Sequence, residues 1–169
     1  MRRPDPGELR QVYREHVDAV YAFFAYSVSR PVAEDLTSAT FERVIRSWKS
    51  YDPRKAGVRT WVLAIARNQL TDHYRRSSHR NARSVDEEPA LLDGLRAADP
   101  TADVAERDAF VALLAGSGER EREVLALRYG ADLSANEVAE LLGLSSANVH
   151  QIASRGLRRL RQELSSDSA

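Results

Sequence analysis

Leu133-Ser134-Ala135-Asn136-Glu137-Val138-Ala139-Glu140-Leu141-Leu142-Gly143-Leu144-Ser145-Ser146-Ala147-Asn148-Val149-His150 reads as a short helix, a turn and a second helix. Ser134 is an N-cap residue, and Glu137 stands three positions on to complete a capping box. Val138, Ala139, Leu141 and Leu142 recur at helical spacing and form an apolar stripe. Gly143 falls where the first helix must turn left-handed, a conformation glycine adopts at little cost. Leu144 fills the corner, and Ser145 caps the next helix. On that helix Val149, Ile152, Ala153, Gly156, Leu157, Leu160 and Leu164 face inward. Ser146, Asn148, His150, Gln151, Ser154, Arg155, Arg158 and Arg159 face outward. Hydrogen-bonding side chains come first and arginines follow. That order suits a recognition helix whose start reads base edges and whose later cations meet phosphates. The competing interpretation is a surface helical hairpin with a solvated basic face.

The formal charge of zero conceals blocks. Residues 1–85 carry 16 Lys and Arg against 9 Asp and Glu, residues 86–123 carry 4 against 11, and residues 124–169 carry 5 of each. A basic first half suits nucleic acid, where affinity is dominated by phosphate neutralisation. The acidic middle is repelled by DNA and must lie off the duplex or against a basic partner. Lysine occurs only at Lys49 and Lys55, which points to a GC-rich genome and not to chemistry. The absence of cysteine excludes disulfides, thiolate zinc sites and thiol redox sensing. No apolar run approaches the ~20 residues of a membrane span, and Met1-Arg2-Arg3-Pro4-Asp5 does not open a secretory signal. A soluble, cytoplasmic protein is expected.

The periodicity predicts an all-α chain of two small helical domains joined by a flexible acidic linker. Asp5-Pro6-Gly7-Glu8 starts a helix that runs to about Ser29, with Leu9, Val12, Tyr13, Val17, Val20, Tyr21, Phe24 and Val28 inward. Arg30-Pro31 breaks it. A second helix over about 32–49 buries Leu36, Phe41, Val44, Ile45 and Trp48. Its other face carries Glu34, Asp35, Thr37, Ser38, Glu42, Arg43 and Arg46. Residues 50–57 have turn chemistry. A third helix over about 58–79 buries Val58, Trp61, Val62, Ile65, Ala66, Leu70 and Tyr74, and exposes Arg59, Arg67, Asn68, Asp72, His73, Arg75 and Arg76. From Ser77 to about Pro100 the periodicity fades into a linker. Helices over about 101–115 and 119–130, broken at Gly116-Ser117-Gly118, precede the helix-turn-helix.

Three stretches, in order and at this spacing, resemble the extracytoplasmic-function (ECF) sigma factors of the bacterial sigma-70 family. The first is Ala33-Glu34-Asp35-Leu36-Thr37 followed by Phe41 and Trp48. The second is Thr60-Trp61-Val62-Leu63-Ala64-Ile65-Ala66-Arg67-Asn68, then Asp72-His73-Tyr74-Arg75-Arg76. The third is Arg120-Glu121-Arg122-Glu123-Val124-Leu125-Ala126-Leu127-Arg128-Tyr129, leading into the helix-turn-helix. The resemblance implies a region 2 over 1–80, a linker over 81–104, a region 4 over 105–164 and a tail over 165–169. It implies a non-catalytic subunit that directs core RNA polymerase to −10/−35 promoters and initiates transcription, with the nucleoid as its place of work. Its implied partners are the β′ clamp helices, the β flap and promoter DNA, and it admits an anti-sigma factor. It implies no cofactor, no metal and no catalytic residue.

On that resemblance, Glu34, Asp35, Thr37, Ser38, Glu42, Arg43 and Arg46 match the core-polymerase surface. Tyr51, Asp52, Arg54 and Lys55 lie in the loop that holds a flipped −10 base, whose extrusion binding must offset. Arg59, Trp61, Arg67, Asn68, Tyr74, Arg75 and Arg76 serve the melted −10 strand, with cations along the backbone and aromatic groups under unstacked bases. Plain core is the favoured role for Trp61, given its apolar neighbours. The −35 set is the outward face of the last helix: Ser146, Asn148, His150, Gln151, Ser154, Arg155, Arg158 and Arg159.

The chain departs from the family pattern in places. Ser117-Gly118 replaces Leu-Pro and loosens that helix start. Ala147-Asn148-Val149 replaces Gly-Thr-Val, and His150-Gln151-Ile152 replaces the basic and small polar residues that usually follow. The −35 preference should therefore differ, with Asn148 or Gln151 on adenine and Arg155 on guanine or phosphate.

Two rival functions are weaker. A stand-alone helix-turn-helix regulator would need a dimerisation helix or a ligand pocket, and neither is legible. An enzyme would need more than Asp72-His73, His79 and His16, which are in the wrong order for histidine-aspartate phosphohydrolases. Neighbouring helical residues also point apart. No phosphate-binding glycine loop or nucleophile motif is present.

Overall fold

The computed structural model describes residues 5–81, 114 and 116–166. Within them are six α-helices and no strand. The expected linker from residue 82 onward, nearly all of the expected helix over 101–115 and the last three residues lie outside the described part.

Helix α1 spans Pro6–Ala25, α2 spans Arg30–Ser47 and α3 spans Val58–Asn81. Pro6 starts α1 behind an extended Asp5, as the sequence requires. The helix stops at Ala25, short of the expected Ser29, because the chain turns through Tyr26–Val28 to place Ser29 as the extended N-cap of α2. Arg30-Pro31 thus opens the next helix, where a proline in the first turn loses no hydrogen bond. The three helices pack around Val20, Phe23, Phe24, Val44, Val62, Leu63 and Ala66, all 1% exposed or less.

A short helix α4 spans Glu119–Leu125 and runs into one turn of π-helix over Ala126–Gly130, where a single continuous helix was expected. Helices α5 (Ala135–Leu142) and α6 (Ser146–Ser166) form the helix-turn-helix. The Ser134–Glu137 capping box is closed in both directions, at 3.2 and 2.8 Å. Gly143 sits at φ 65°, ψ 36°, the left-handed corner between the helices. Ser145 Oγ accepts the amide of Asn148 at 3.1 Å and so caps α6. Where α6 crosses α4 the helices nearly touch at Gly156, whose absent Cβ would lie 2.9 Å from Leu125 Cδ1 and 3.1 Å from Glu121 Cγ.

The two helical groups share one apolar cluster. The π-turn lies against α1, with Gly130 under the Tyr26 ring. Several periodicity-based burials change. Tyr13 is 49% exposed, Ile45 54% and Leu164 50%, whereas Phe23 and Leu63 are fully enclosed. A helical period locates a stripe but does not say how far round the helix the neighbours reach.

Candidate nucleic-acid and polymerase interface

On α2, Glu34, Asp35, Ser38, Glu42, Arg43 and Arg46 are exposed. Two i,i+4 pairs organise them: Arg30 with Glu34 and Arg46 with Glu42, both at 3.0 Å. Thr37 does not join this face. It is buried, and its hydroxyl donates to the carbonyl of Ala33 at 2.7 Å. Ile45 is also exposed, near the C-terminal end of α2, although the sequence pattern had assigned it to the core.

The loop between α2 and α3 is anchored by aromatic rings. A 3-10 turn, Trp48–Ser50, brings Trp48 within 5.5 Å of the Tyr51 ring and 5.8 Å of Trp61, and Tyr51 lies 5.0 Å from Trp61. Trp61 is thus half-buried as a support of the loop. Tyr51 Oη donates to the Ala56 carbonyl at 3.2 Å. Asp52 accepts two guanidinium bonds from Arg54 at 3.0 Å, and these bonds hold its carboxyl below the usual range. Lys55 remains exposed.

Along α3, Asn68, Arg75 and Arg76 are exposed. Arg75 lies 3.9 Å from Asp72, and Arg76 donates to the Asp72 carbonyl. Tyr74 faces the fold. Its hydroxyl donates to the Ser27 carbonyl at 2.8 Å, tying α3 to the end of α1, and burial pushes its pKa up, so the phenol keeps its proton. Arg59 and Arg67 do not point to open solvent. Arg59 donates to the carbonyl of Ala131 and Arg67 to Glu123, both at 2.5 Å.

On α6, Asn148, His150, Gln151, Ser154, Arg155 and Arg158 form a continuous exposed face, with Ser146 half-exposed at its start. Arg159 is turned inward. It pairs with Glu121 at 2.9 Å and Glu163 at 2.7 Å and donates to Ser117 Oγ. This contact explains how the Ser117-Gly118 substitution is accommodated: Ser117 is buried and bonded to Arg159, and Gly118 supplies the extended N-cap of α4.

The fold adds residues that the sequence did not flag. A cavity of about 300 Å³ lies beside α6, lined by Arg128, Tyr129, His150, Ser154, Arg158 and Arg161 among others. The π-turn brings Arg128 and Tyr129 to it, a placement beside α6 that their stretch of sequence does not announce. The Arg128 guanidinium donates to the Leu133 carbonyl, leaving its Nε buried without a partner.

Residues 12–80 match the family model of sigma-70 region 2, and residues 118–162 match that of sigma-70 region 4. The chain is 34% identical over 138 residues to the ECF RNA polymerase sigma factor SigC of Mycobacterium tuberculosis, covering 80% of this chain and 72% of that one. It is 29% identical over 179 residues to the ECF RNA polymerase sigma factor BldN of Streptomyces coelicolor, and spans 61% of that protein's length. Its fold resembles the sigma factor RpoE of Bartonella quintana, solved with the anti-sigma factor NepR. The TM-score is 0.73 at 20% identity, over 94% of this chain and 97% of that one.

Proposed function

The chain belongs to the ECF sigma factors of the sigma-70 family, and from that premise we propose how its two modules divide the work of promoter recognition. Core RNA polymerase and promoter DNA are the partners of such a subunit. The exposed mixed-charge face of α2, with exposed Ile45 near its end, docks on core polymerase, because complementary charges give a specific protein contact. The loop over 50–57 and the exposed row Asn68, Arg75 and Arg76 hold the opened −10 strand, with Arg59 and Arg67 joining once freed. The face of α6 from Ser146 to Arg158 reads the −35 duplex, and Arg128 and Arg161 extend its positive rim.

The single observation that carries this assignment is the order of exposed side chains on α6. Asn148, His150 and Gln151 come in its first turns, with Arg155 and Arg158 behind them. The helix-turn-helix geometry needs base-reading groups first and phosphate-binding groups later. Domain limits near residues 80 and 105 follow from the same division. The subunit contributes recognition, not catalysis, and it works in the cytoplasm on nucleoid DNA. Among the described residues no helix is long and apolar enough to cross a membrane. RpoE of Bartonella quintana was solved with an anti-sigma factor, and the same kind of partner suits this chain. A stand-alone regulator is not favoured, because the region 2 match over residues 12–80 has no role in it.

Run-off transcription with purified core polymerase and a promoter library tests the proposal. The chain should initiate at a defined −10/−35 promoter only when core is present. Arg155→Ala should reduce initiation at that promoter by about tenfold, equivalent to one lost base or phosphate contact. Normal transcription by that variant from a −35-dependent promoter would refute the α6 assignment.

A further inference from the structure

Several arginines of this fold are matched by an acceptor on the chain itself. Arg67, Arg120 and Arg159 pair with carboxylates, and Arg59 donates to a carbonyl. The cavity beside α6 is different. Arg128, Arg158 and Arg161 converge on it with His150, and no acidic side chain lines it. Among the described residues, none of these three arginines forms an ion pair with a carboxylate. Arg128 donates to the Leu133 carbonyl, and its Nε is buried without a partner. Like charges gathered in one recess repel, and a bound anion offsets that repulsion.

The cavity is distinct from the base-reading row. At about 3.6 residues per turn, His150, Ser154 and Arg161 share one stripe of α6, while Asn148, Gln151 and Arg155 share another about a third of a turn away. Arg128 and Tyr129 come to the cavity from the π-turn and not from α6 at all. Part of the lining is apolar: Ala153 is buried and Leu157 half-buried. The Tyr129 ring is 43% exposed, and the Arg128 guanidinium carbon lies 5.7 Å from its centroid. The recess thus offers guanidinium groups, two hydroxyls and a flat apolar ring. Its volume of about 300 Å³ is at the small end for ligand pockets.

We propose that this cavity binds a free mononucleotide, its phosphate held by Arg128, Arg158 and Arg161 and its base laid on the Tyr129 ring. Guanidinium forks match phosphate oxygens in pairs. An aromatic ring stacks on any base, because every base has a π-face. Inorganic phosphate satisfies the cations but leaves the ring and Leu157 uncovered. An uncharged nucleoside does the reverse. A small phosphate ester with a planar body meets both halves of the lining. Arg158 also belongs to the α6 face assigned to the −35 duplex, so an occupied cavity withdraws one cation from that duplex. This consequence rests on the function proposed above; the binding itself does not.

Isothermal titration calorimetry of the full chain with GMP tests the site. GMP should bind saturably, and inorganic phosphate and guanosine should each bind at least about fivefold more weakly, since each lacks one half of the match. Tyr129 and Arg161 are exposed, so their variants should fold, with helical content checked by circular dichroism. Arg161→Ala should weaken GMP binding about tenfold, as loss of a charged hydrogen bond implies. Tyr129→Leu should weaken it about fivefold through lost stacking. Arg155→Ala removes the same charge from the same helix outside the cavity, and it should leave GMP affinity at the parent value. Equal affinity for GMP and inorganic phosphate would overturn the proposal, as would parent-like GMP binding in both Arg161→Ala and Tyr129→Leu. A loss in Arg155→Ala as large as that in Arg161→Ala would overturn it too, by reducing the effect to general charge. If the cavity serves only a DNA phosphate, GMP gives no saturable heat, while Arg161→Ala weakens promoter binding with core polymerase and lowers its salt slope by about one; that result also overturns the proposal. Failure to initiate with core polymerase would strike the function proposed above and leave the calorimetric result standing.

Discussion

Ser134 and Glu137 make a small, testable contribution through one pair of reciprocal bonds. The Ser134 side chain and then its backbone amide hold the Glu137 carboxyl below its ordinary value of 4.5. A carboxyl whose folded value is lowered contributes stability that is full above the unfolded value and drains away as pH falls through the folded one. Ser134→Ala should therefore cost about 1 kcal/mol near neutrality. Urea midpoints should show that difference shrinking as the solution passes below pH 4.5. His16 behaves similarly at a higher pH. Burial is the main cause that holds its imidazole below the ordinary 6.5, Glu15 opposes the shift and Arg59 adds to it. Its Nε2 is buried without a partner. The folded chain keeps this ring neutral, and the unfolded chain protonates it first as acid is added. Stability should hold above pH 6.5 and decline below it; His16→Leu should flatten that decline in urea titrations carried below pH 6.5. An equal slope in both proteins would remove His16 from the account.

Among the helices, α6 depends on how closely it can approach α4. The atoms facing Gly156 are Leu125 Cδ1 and the Glu121 side chain, both able to shift. Gly156→Ala should therefore be tolerated, since helix propensity offsets up to about 1 kcal/mol of crowding. Gly156→Leu should cost about 1–3 kcal/mol by forcing the helices apart, read as a lowered thermal midpoint with weakened −35 binding. Equal melting of the two variants would mean the crossing is looser than its geometry. Local chemistry explains which elements were legible beforehand. The capping box, the left-handed Gly143 and the Ser145 cap depend on residues within four positions of each other, and each stands where the sequence placed it. The π-turn over Ala126–Gly130 carries no such local sign. It brings Gly130 beneath Tyr26, a neighbour more than a hundred residues away. Ile45 and Tyr13 were misassigned for a related reason, since their exposure depends on where other helices stop.

For the molecule as a whole, two modules were legible from the charge blocks and the fading periodicity, but their contact was not. Arg67 and Glu123 are 56 positions apart, and each alone looks like an ordinary surface charge. Their meeting is a property of tertiary structure, as is the shared apolar cluster that runs from Val20 and Phe24 to Leu127 and Val138. That continuity has a thermodynamic consequence. Modules that bury surface against each other unfold together when the boundary contributes more than the difference between their separate stabilities, and separately when it does not. Calorimetry of the parent should give one transition whose van't Hoff and calorimetric enthalpies agree. Gly130→Val places a branched side chain where Tyr26 and the Ala22 carbonyl leave no room, so it should divide the heat into two transitions. It should do so without abolishing either, because Gly130 lies at the edge of its module and not in its interior. High salt should act in the same direction, since it screens the Arg67–Glu123 pair, but more weakly, since the pair is partly covered. Two transitions in the parent at low salt would mean that the modules already behave independently.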